Sequence, residues 1–154
     1  MKTFLRATVA LAVACFLFFL PDLVSALPER PMLSPEMQEK QATHIVEGTV
    51  TRVYECKEKD GKWRVTYFVA EVDVDKVTKG EGIDTNEKLF VRWFSRYWDG
   101  GQPPTDSSGH YGWAPKKGQK ARMFLSDKSG TEYRYYSEDG GLKALIPNGF
   151  AKVD

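Results

Sequence analysis

The chain contains very little cysteine and histidine, and these two shortages exclude most of the chemistry that protein side chains commonly perform. Cys15 and Cys56 are its only thiols, and His44 and His110 are its only imidazoles. It contains no HExxH pair, no CxxC pair and no serine in a GxSxG turn. Its formal net charge is +1, so no overall field attracts nucleic acid or an anionic membrane. We therefore expect no enzyme, no cofactor, no metal site and no nucleic-acid partner.

Long apolar runs are also scarce, except at the N-terminus. Residues 7–20 are uncharged and mostly apolar, follow the basic residues Lys2 and Arg6, and precede a small-residue Val-Ser-Ala motif at residues 24–26. This is the pattern of a secretory signal peptide. The run is shorter than the roughly 20 residues that span a bilayer. We expect cleavage after residue 26 and an exported protein, extracellular or periplasmic, without a transmembrane anchor. A retained anchor is the alternative.

Loss of the leader would leave Cys56 as the only thiol, and a single thiol excludes an internal disulfide. Cys56 is a candidate for a reactive thiol or for a bridge between two chains. Such a residue is more often a small, half-buried hydrophobe on a strand. The remaining chain is long enough to fold on one packed core without cross-links, and we expect it to be a monomer.

The chain after the leader divides into a short N-terminal segment and a β-rich remainder. Its first residues, 27–35, are rich in proline and predict an extended linker. Ser34, Pro35 and Glu36 then predict the start of a short helix that ends near Gln41. We assign residues 27–42 to this linker and helix, and residues 43–154 to one β domain.

Apolar residues in partial alternation, with turn signals between them, predict five or six strands in the β domain. The predicted strands are Ile45–Tyr54, Trp63–Val77, Glu87–Ser95, Lys120–Ser126, Thr131–Ser137 and Leu142–Ile146. The second is long enough to coil, and Gly48 marks a bend or bulge in the first. The sequence therefore predicts an all-β fold, specifically a small antiparallel OB-like barrel, with a two-sheet sandwich as the alternative.

Three short motifs stand in order along the β domain: His44–Val50 (HIVEGTV), Val77–Gly80 (VTKG) and Pro115–Gly118 (PKKG). Together they resemble the secreted OB-fold domains of the netrin type, the group that includes the tissue inhibitors of metalloproteinases. The resemblance implies the fold but not the inhibition. Those inhibitors present an N-terminal cysteine to a catalytic metal, whereas the expected mature chain begins at Leu27. The whole chain also resembles small exported bacterial proteins, a likeness that implies no activity.

Aromatic and basic residues are concentrated at the end of the third strand and in the irregular residues 96–118. Tryptophan and arginine dominate binding hot spots, and the glycines of this segment allow a close approach of the backbone. We predict that Trp93 and Phe94 fill the core and that the residues after them bind a ligand. The predicted contacts are Arg96, Tyr97, Trp98, His110 and Trp113, with Lys116 and Lys117 as electrostatic support.

Charge is divided along the chain, because residues 71–87 are mainly acidic and residues 88–122 mainly basic. Glu71, Asp73 and Asp75 share one strand face. Since calcium loops usually bring glycine and a sharp turn, we interpret them as a solvated edge or as partners of lysine and arginine. A basic and aromatic face on an OB-like barrel also suits single-stranded nucleic acid, but the expected export favours another ligand.

The sequence therefore predicts an exported, non-catalytic binding module whose ligand is a protein or an extracellular polysaccharide. One alternative is a protease-inhibitor-like protein. The other is an envelope enzyme, in which His110 performs acid–base work with Asp99 or Asp106 or pairs with Cys56.

Overall fold

A computed structural model describes residues 31–101, 109–126 and 141–153 of the chain. These residues form one short helix and six strands: α1 (Pro35–Gln41), β1 (His44–Asp60), β2 (Trp63–Lys79), β3 (Lys88–Trp98), β4 (Lys120–Ser126), β5 (Leu142–Ala144) and β6 (Phe150–Lys152). The prediction of a mostly β chain with a short N-terminal helix is confirmed. The predicted signal peptide, residues 1–26, and the predicted strand Thr131–Ser137 lie outside the described residues.

Helix α1 begins where the sequence predicts. The Ser34 hydroxyl accepts a hydrogen bond from the Met37 N–H at 3.3 Å, and Pro35 is the first helical residue. The Asn148 side chain bonds both backbone groups of Leu33, with its oxygen 2.9 Å from the Leu33 nitrogen and its nitrogen 3.0 Å from the Leu33 oxygen. The buried Gln38 side chain donates to the Asn148 carbonyl. The segment before and within α1 is therefore fixed to the loop between β5 and β6.

Five strands pair in a ring in the order β1-β2-β3-β5-β4, and β4 pairs with β1 to complete it. All of these pairs are antiparallel except β3 with β5, in which Val91 lies opposite Leu142 in a parallel ladder. The prediction of an antiparallel sheet is wrong for this pair. A ring with an odd number of strands cannot alternate direction at every neighbour, so at least one pair must be parallel.

Strands β5 and β6 are two halves of one interrupted strand. Both lie on the side of β4 that does not face β1, with Ala144 opposite Leu125 and Phe150 opposite Met123. Between them the chain bulges over residues 145–149, although Phe124 still bonds the backbone of both Leu145 and Gly149 at 2.9 Å. The sequence predicts one continuous strand ending at Ile146 and does not predict β6.

Strands β1 and β2 extend beyond the ring, because their pairing continues after β4 has ended. β4 pairs with β1 only from His44 to Thr49, whereas β2 pairs with β1 as far as Asp60, opposite Trp63. The connecting turn is Gly61-Lys62, and Gly61 has φ 59°, as a type II′ turn requires at its first position. We call the three-stranded part formed by residues 52–60, 63–70 and 93–98 the extension.

The main core fills the inside of the ring and is built mostly from valine. Alternate residues of the strands point inward, so Val72 and Trp93 join this core. Phe94, the next residue on β3, points to the opposite face and forms a smaller cluster with Val65. Both Trp93 and Phe94 are buried, as predicted.

Candidate functional site

The fold separates the predicted contact residues into three places. They are the end of β3 (Arg96, Tyr97, Trp98), the segment that begins at residue 109 (His110, Trp113), and the turn before β4 (Lys116, Lys117). Neighbours on a strand point to opposite faces, so Tyr97 is also separated from Arg96 and Trp98. The predicted contacts therefore do not form one surface.

Trp98 packs against the residue opposite it on β2. Its ring centroid lies 4.9 Å from that of Trp63 in an edge-to-face arrangement. Its indole Nε1 is buried, and a Cβ on Gly100 would lie 2.6 Å from that atom. The guanidinium of Arg96 lies 5.9 Å from the centroid of Trp63. These contacts stabilise the far end of the extension and leave Trp98 only partly exposed.

Replacement of Trp98 by alanine is expected to lower the free energy of unfolding by about 2 kcal/mol, because it removes the edge-to-face pair and part of its buried ring. Urea denaturation measures this change. The matched control is Tyr97→Ala, whose side chain is 66% exposed and should change the free energy by about 0.5 kcal/mol or less. Equal effects of the two substitutions would contradict a packing role for Trp98.

His110 is buried rather than exposed at the surface. Only 6% of the residue is accessible to solvent, and its ring centroid lies 5.0 Å from that of Phe150. Burial lowers the pKa of His110 to about 4. Its Nε2 is buried and has no hydrogen-bond partner among the described residues. At neutral pH the imidazole is therefore uncharged, and its environment is that of a packed side chain.

The segment around His110 joins β3 to the bulge between β5 and β6. The His110 N–H donates to the Phe94 carbonyl at 2.7 Å, and the Tyr111 N–H donates to the Pro147 carbonyl at 2.7 Å. β5 pairs with β3 only at Val91 and Arg92. Beyond these residues, the segment that contains His110 lies beside β3. The residues predicted to be a binding loop are, at this point, part of the fold.

Trp113, Lys116 and Lys117 lie along the approach to β4. Trp113 packs partly against the main core, and the Lys152 ammonium lies 5.9 Å from its ring centroid. Lys116 and Lys117 are exposed in a turn that is fixed to β1, since the Gly118 N–H donates to the Val50 carbonyl at 2.7 Å.

An open groove lies on the extension and has a volume of about 690 Å³. Six of the residues that line it point to one face of the sheet, because they are paired across the three strands in two successive rows. The rows are Lys57, Thr66 and Ser95, and then Lys59, Arg64 and Tyr97. The backbone at Glu58, Val65 and Arg96 lies between the rows and forms the floor.

The groove continues the inner face of the ring. One row closer to the core, on the same face, Phe68 stacks on Trp93 with centroids 5.1 Å apart and rings nearly parallel. The side chains change from apolar to polar at Thr66 and Ser95. The groove therefore has the stacked rings of Phe68 and Trp93 on one side and ends at the exposed ring of Tyr97.

The side chains on the groove face carry three positive charges, from Lys57, Lys59 and Arg64. Carboxylates border the groove rather than fill it. Lys57 lies 3.2 Å from Glu55, and the Arg64 guanidinium donates two hydrogen bonds to Asp99, at 2.5 and 3.0 Å. The hydrogen bond with Asp99 raises the pKa of Arg64. Exposed ion pairs of this kind contribute little to stability, so an anionic ligand can exchange with the carboxylates.

Two of the three acidic residues on β2, Glu71 and Asp75, have basic partners, as one of the two interpretations of the sequence predicts. Lys120 lies 3.0 Å from Asp75, and Lys88 lies 3.9 Å from Glu71, which also accepts a hydrogen bond from the Tyr54 hydroxyl at 2.6 Å. Within the described residues, no group of three or more His, Cys, Asp or Glu side chains is arranged to hold a metal ion.

Comparison with known proteins gives no match to a family model, to a curated protein or to a solved structure. Among the described residues, α1 is far too short to cross a membrane, and no other helix could do so.

Proposed function

We propose that the chain is an exported, non-catalytic binding module built on an OB-like barrel, and that its groove holds an acidic polysaccharide. The ring order, with a single parallel pair between β3 and β5, supports the OB-like assignment. The signal-peptide pattern in residues 1–26 supports an extracellular or periplasmic location. Of the residues predicted from sequence to contact the ligand, the proposal keeps Tyr97 as a side-chain contact and Arg96 as backbone.

The observation that carries the proposal is the side-chain content of the groove face. Tyr97 offers an exposed ring with a hydroxyl at its edge, and such amphipathic rings pack on the C–H face of a sugar. Arg64 lies beside Tyr97 in the same row and Lys59 lies beyond Arg64, so both offer charged donors, while Thr66 and Ser95 offer hydroxyls. A carboxylated or sulfated sugar chain matches all three kinds of group.

The shape and polarity of the groove favour a polysaccharide over a protein. Stable protein interfaces are centred on buried apolar and aromatic anchors, with polar groups at the rim. Among the six groove-face residues Tyr97 is the only aromatic, and the middle strand contributes the polar residues Thr66 and Arg64. An open polar trough of this kind suits an extended hydrated chain.

The two alternatives predicted from sequence have less support. Inhibition in the manner of the netrin-type group would need a projecting N-terminal segment, whereas Leu33 is bound to Asn148 through both backbone groups. The envelope enzyme predicted from sequence would need a His110 that titrates near neutral pH, whereas the pKa of this buried residue is lowered to about 4. The predicted pair of His110 with Cys56 also has little support, because β2 and β3 lie between Cys56 on β1 and the segment that carries His110.

Isothermal titration with oligogalacturonate, using neutral dextran oligomers of equal length as the comparison, tests the proposal. We expect binding of the acidic oligomer that weakens as salt is raised, and no binding of dextran. The double variant Lys57→Ala/Lys59→Ala should weaken binding about tenfold, because two cations facing the ligand are removed. Tyr97→Ala should weaken it about fivefold through loss of the stacking ring.

The matched control is Lys116→Ala/Lys117→Ala, which removes the same charge from the exposed turn before β4. It should leave the affinity within about twofold of the parent protein. If this variant loses binding while the groove variants keep it, the site lies on that turn and the groove assignment is wrong. Absence of binding to any acidic oligomer, sulfated ones included, would contradict the proposed ligand class.

A further inference from the structure

The outer edge of β1 is unpaired along residues 52–60, among the residues that the structure describes. β4 pairs with β1 only as far as Thr49, and the turn before β4 bonds Val50. Beyond that point β2 is the one strand beside β1 in the described parts of the chain. An unpaired edge presents a row of backbone donors and acceptors and is a template for another strand.

Alternate residues direct their backbone groups toward this edge. Residues that flank a two-residue hairpin turn, here Asp60 and Trp63, form a hydrogen-bonded pair, so Asp60 faces β2. Counting back from Asp60 in steps of two, Cys56 also faces β2. The residues that direct N–H and C=O outward are Val53, Glu55, Lys57 and Lys59.

We propose that two copies of the chain pair edge to edge through residues 52–60 of β1, antiparallel and centred on Cys56. In this register Glu55 of one protomer lies opposite Lys57 of its partner, and Arg52 lies opposite Asp60. Two-fold symmetry forms each of these opposite-charge pairs twice. The residues that direct their backbone N–H and C=O outward lie opposite one another, Glu55 with Lys57 and Val53 with Lys59. Each of these backbone groups therefore has a hydrogen-bond partner in the other protomer.

Charge selects this register over its neighbours. A centre at Glu55 would place Glu55 opposite itself, and a centre at Lys57 would place Lys57 opposite itself. Like charges directly opposite on paired strands are destabilising. With the centre at Cys56, no two like charges face each other across residues 52–60. The alternating signs that would repel many foreign strands are therefore complementary to a second copy.

The pairing would place the two grooves on one continuous sheet face. Opposite residues in an antiparallel pair point to the same face, so Lys57 and Lys59 of both protomers lie beside the joint. The proposed dimer rests on the geometry of the β1 edge, residues 52–60, and does not depend on which ligand the groove binds. It differs from the monomer that the sequence predicts.

Sedimentation velocity of the purified protein under reducing conditions tests the dimer. We expect a monomer–dimer equilibrium, weakened about tenfold by Glu55→Lys and similarly by Lys57→Glu, because each places like charges opposite one another. The double variant Glu55→Lys/Lys57→Glu exchanges the two charges and should restore the parent affinity. Circular dichroism confirms that each variant is folded.

Cys56 provides an independent measure of the register. In the proposed pairing it lies opposite itself at a non-hydrogen-bonded position, where Cα atoms are about 4.5 Å apart, a separation that a disulfide can span. Diamide takes up the two electrons and two protons that two thiols lose, so it should convert the parent protein to a covalent dimer. Cys56→Ser should give none, and Glu55→Lys should give it about tenfold more slowly.

Three results would overturn the proposal. One is a protein that stays monomeric at every soluble concentration. Another is a dimer whose affinity is unchanged by Glu55→Lys and by Lys57→Glu. The third is a dimer that diamide does not cross-link through Cys56. The titration with oligogalacturonate is measured separately on Glu55→Lys, which weakens the dimer but keeps all six groove-face residues. Failure of the dimer and failure of ligand binding are therefore distinguishable.

Discussion

Replacement of Gly48 by alanine is expected to lower the free energy of unfolding by about 3 kcal/mol, because the new methyl group has no space. Gly48 lies in β1 beside a shift in the β1–β2 register. A Cβ there would lie 2.5 Å from the Asp73 carbonyl oxygen and 2.7 Å from a Val72 methyl. Since the carbonyl belongs to the paired strand, relief requires that the two strands move apart.

Chemical denaturation of Gly48→Ala measures this loss, and Gly101→Ala is its control. A Cβ on Gly101 meets nothing within 4 Å, so that substitution should change the free energy by about 0.5 kcal/mol or less. A Gly48→Ala protein as stable as the Gly101→Ala protein would show that β1 and β2 are not packed as closely as described.

Acidification from pH 7 to pH 4 is expected to remove about 3 kcal/mol of stability through His110 alone. Burial lowers the pKa of the folded imidazole to about 4, whereas an unfolded histidine titrates near 6.5. The unfolded chain therefore binds the proton more readily than the folded one. The contribution is complete above pH 6.5, falls as the pH is lowered toward 4, and becomes constant below that value.

The comparison of the parent protein with His110→Phe isolates this effect from the carboxylates. We expect the stability difference between them to change by about 3 kcal/mol over that pH range, in favour of the variant at low pH. A His110 imidazole that titrates near 6.5 in the folded protein, measured by NMR, would contradict its burial.

Local features of the fold could be predicted because they depend on few neighbouring residues. Ser34 and Pro35 determine the start of α1, the bounds of β4 agree with those predicted, and Gly48 lies beside a register shift in the first strand. Each of these depends on the conformation of the residue itself or of its immediate neighbours in the chain.

The longer-range features could not be predicted because they depend on partners distant in the chain. The parallel pairing of β3 with β5 follows from an odd number of strands in a ring, which no single segment encodes. The break between β5 and β6 depends on contacts that residues 145–149 make with distant parts of the chain. Asn148 bonds Leu33 in the N-terminal segment, and Pro147 bonds Tyr111.

The candidate site was only partly predicted, for the same reason. The density of aromatic residues in the sequence identified Trp98 and His110 as ligand contacts. In the fold, the Trp98 ring is paired with Trp63 and the His110 ring is packed on Phe150. The groove instead takes residues from three strands, and those on β1 lie in residues 52–60, where Tyr54 is the only aromatic residue. Lys57 and Lys59 alternate along β1, and this signal indicates a common face only once the β1–β2 register is known.

The measurement that tests the central claim most directly is NMR mapping of the ¹⁵N-labelled protein with increasing oligogalacturonate. We predict shift changes that concentrate at Lys57, Lys59, Arg64 and Tyr97 and saturate with added ligand. In the Tyr97→Ala protein, half-saturation should need about fivefold more ligand. Changes centred on Trp113 and Lys116, or no saturable change with any acidic oligosaccharide, would contradict the assignment of the groove as the binding site.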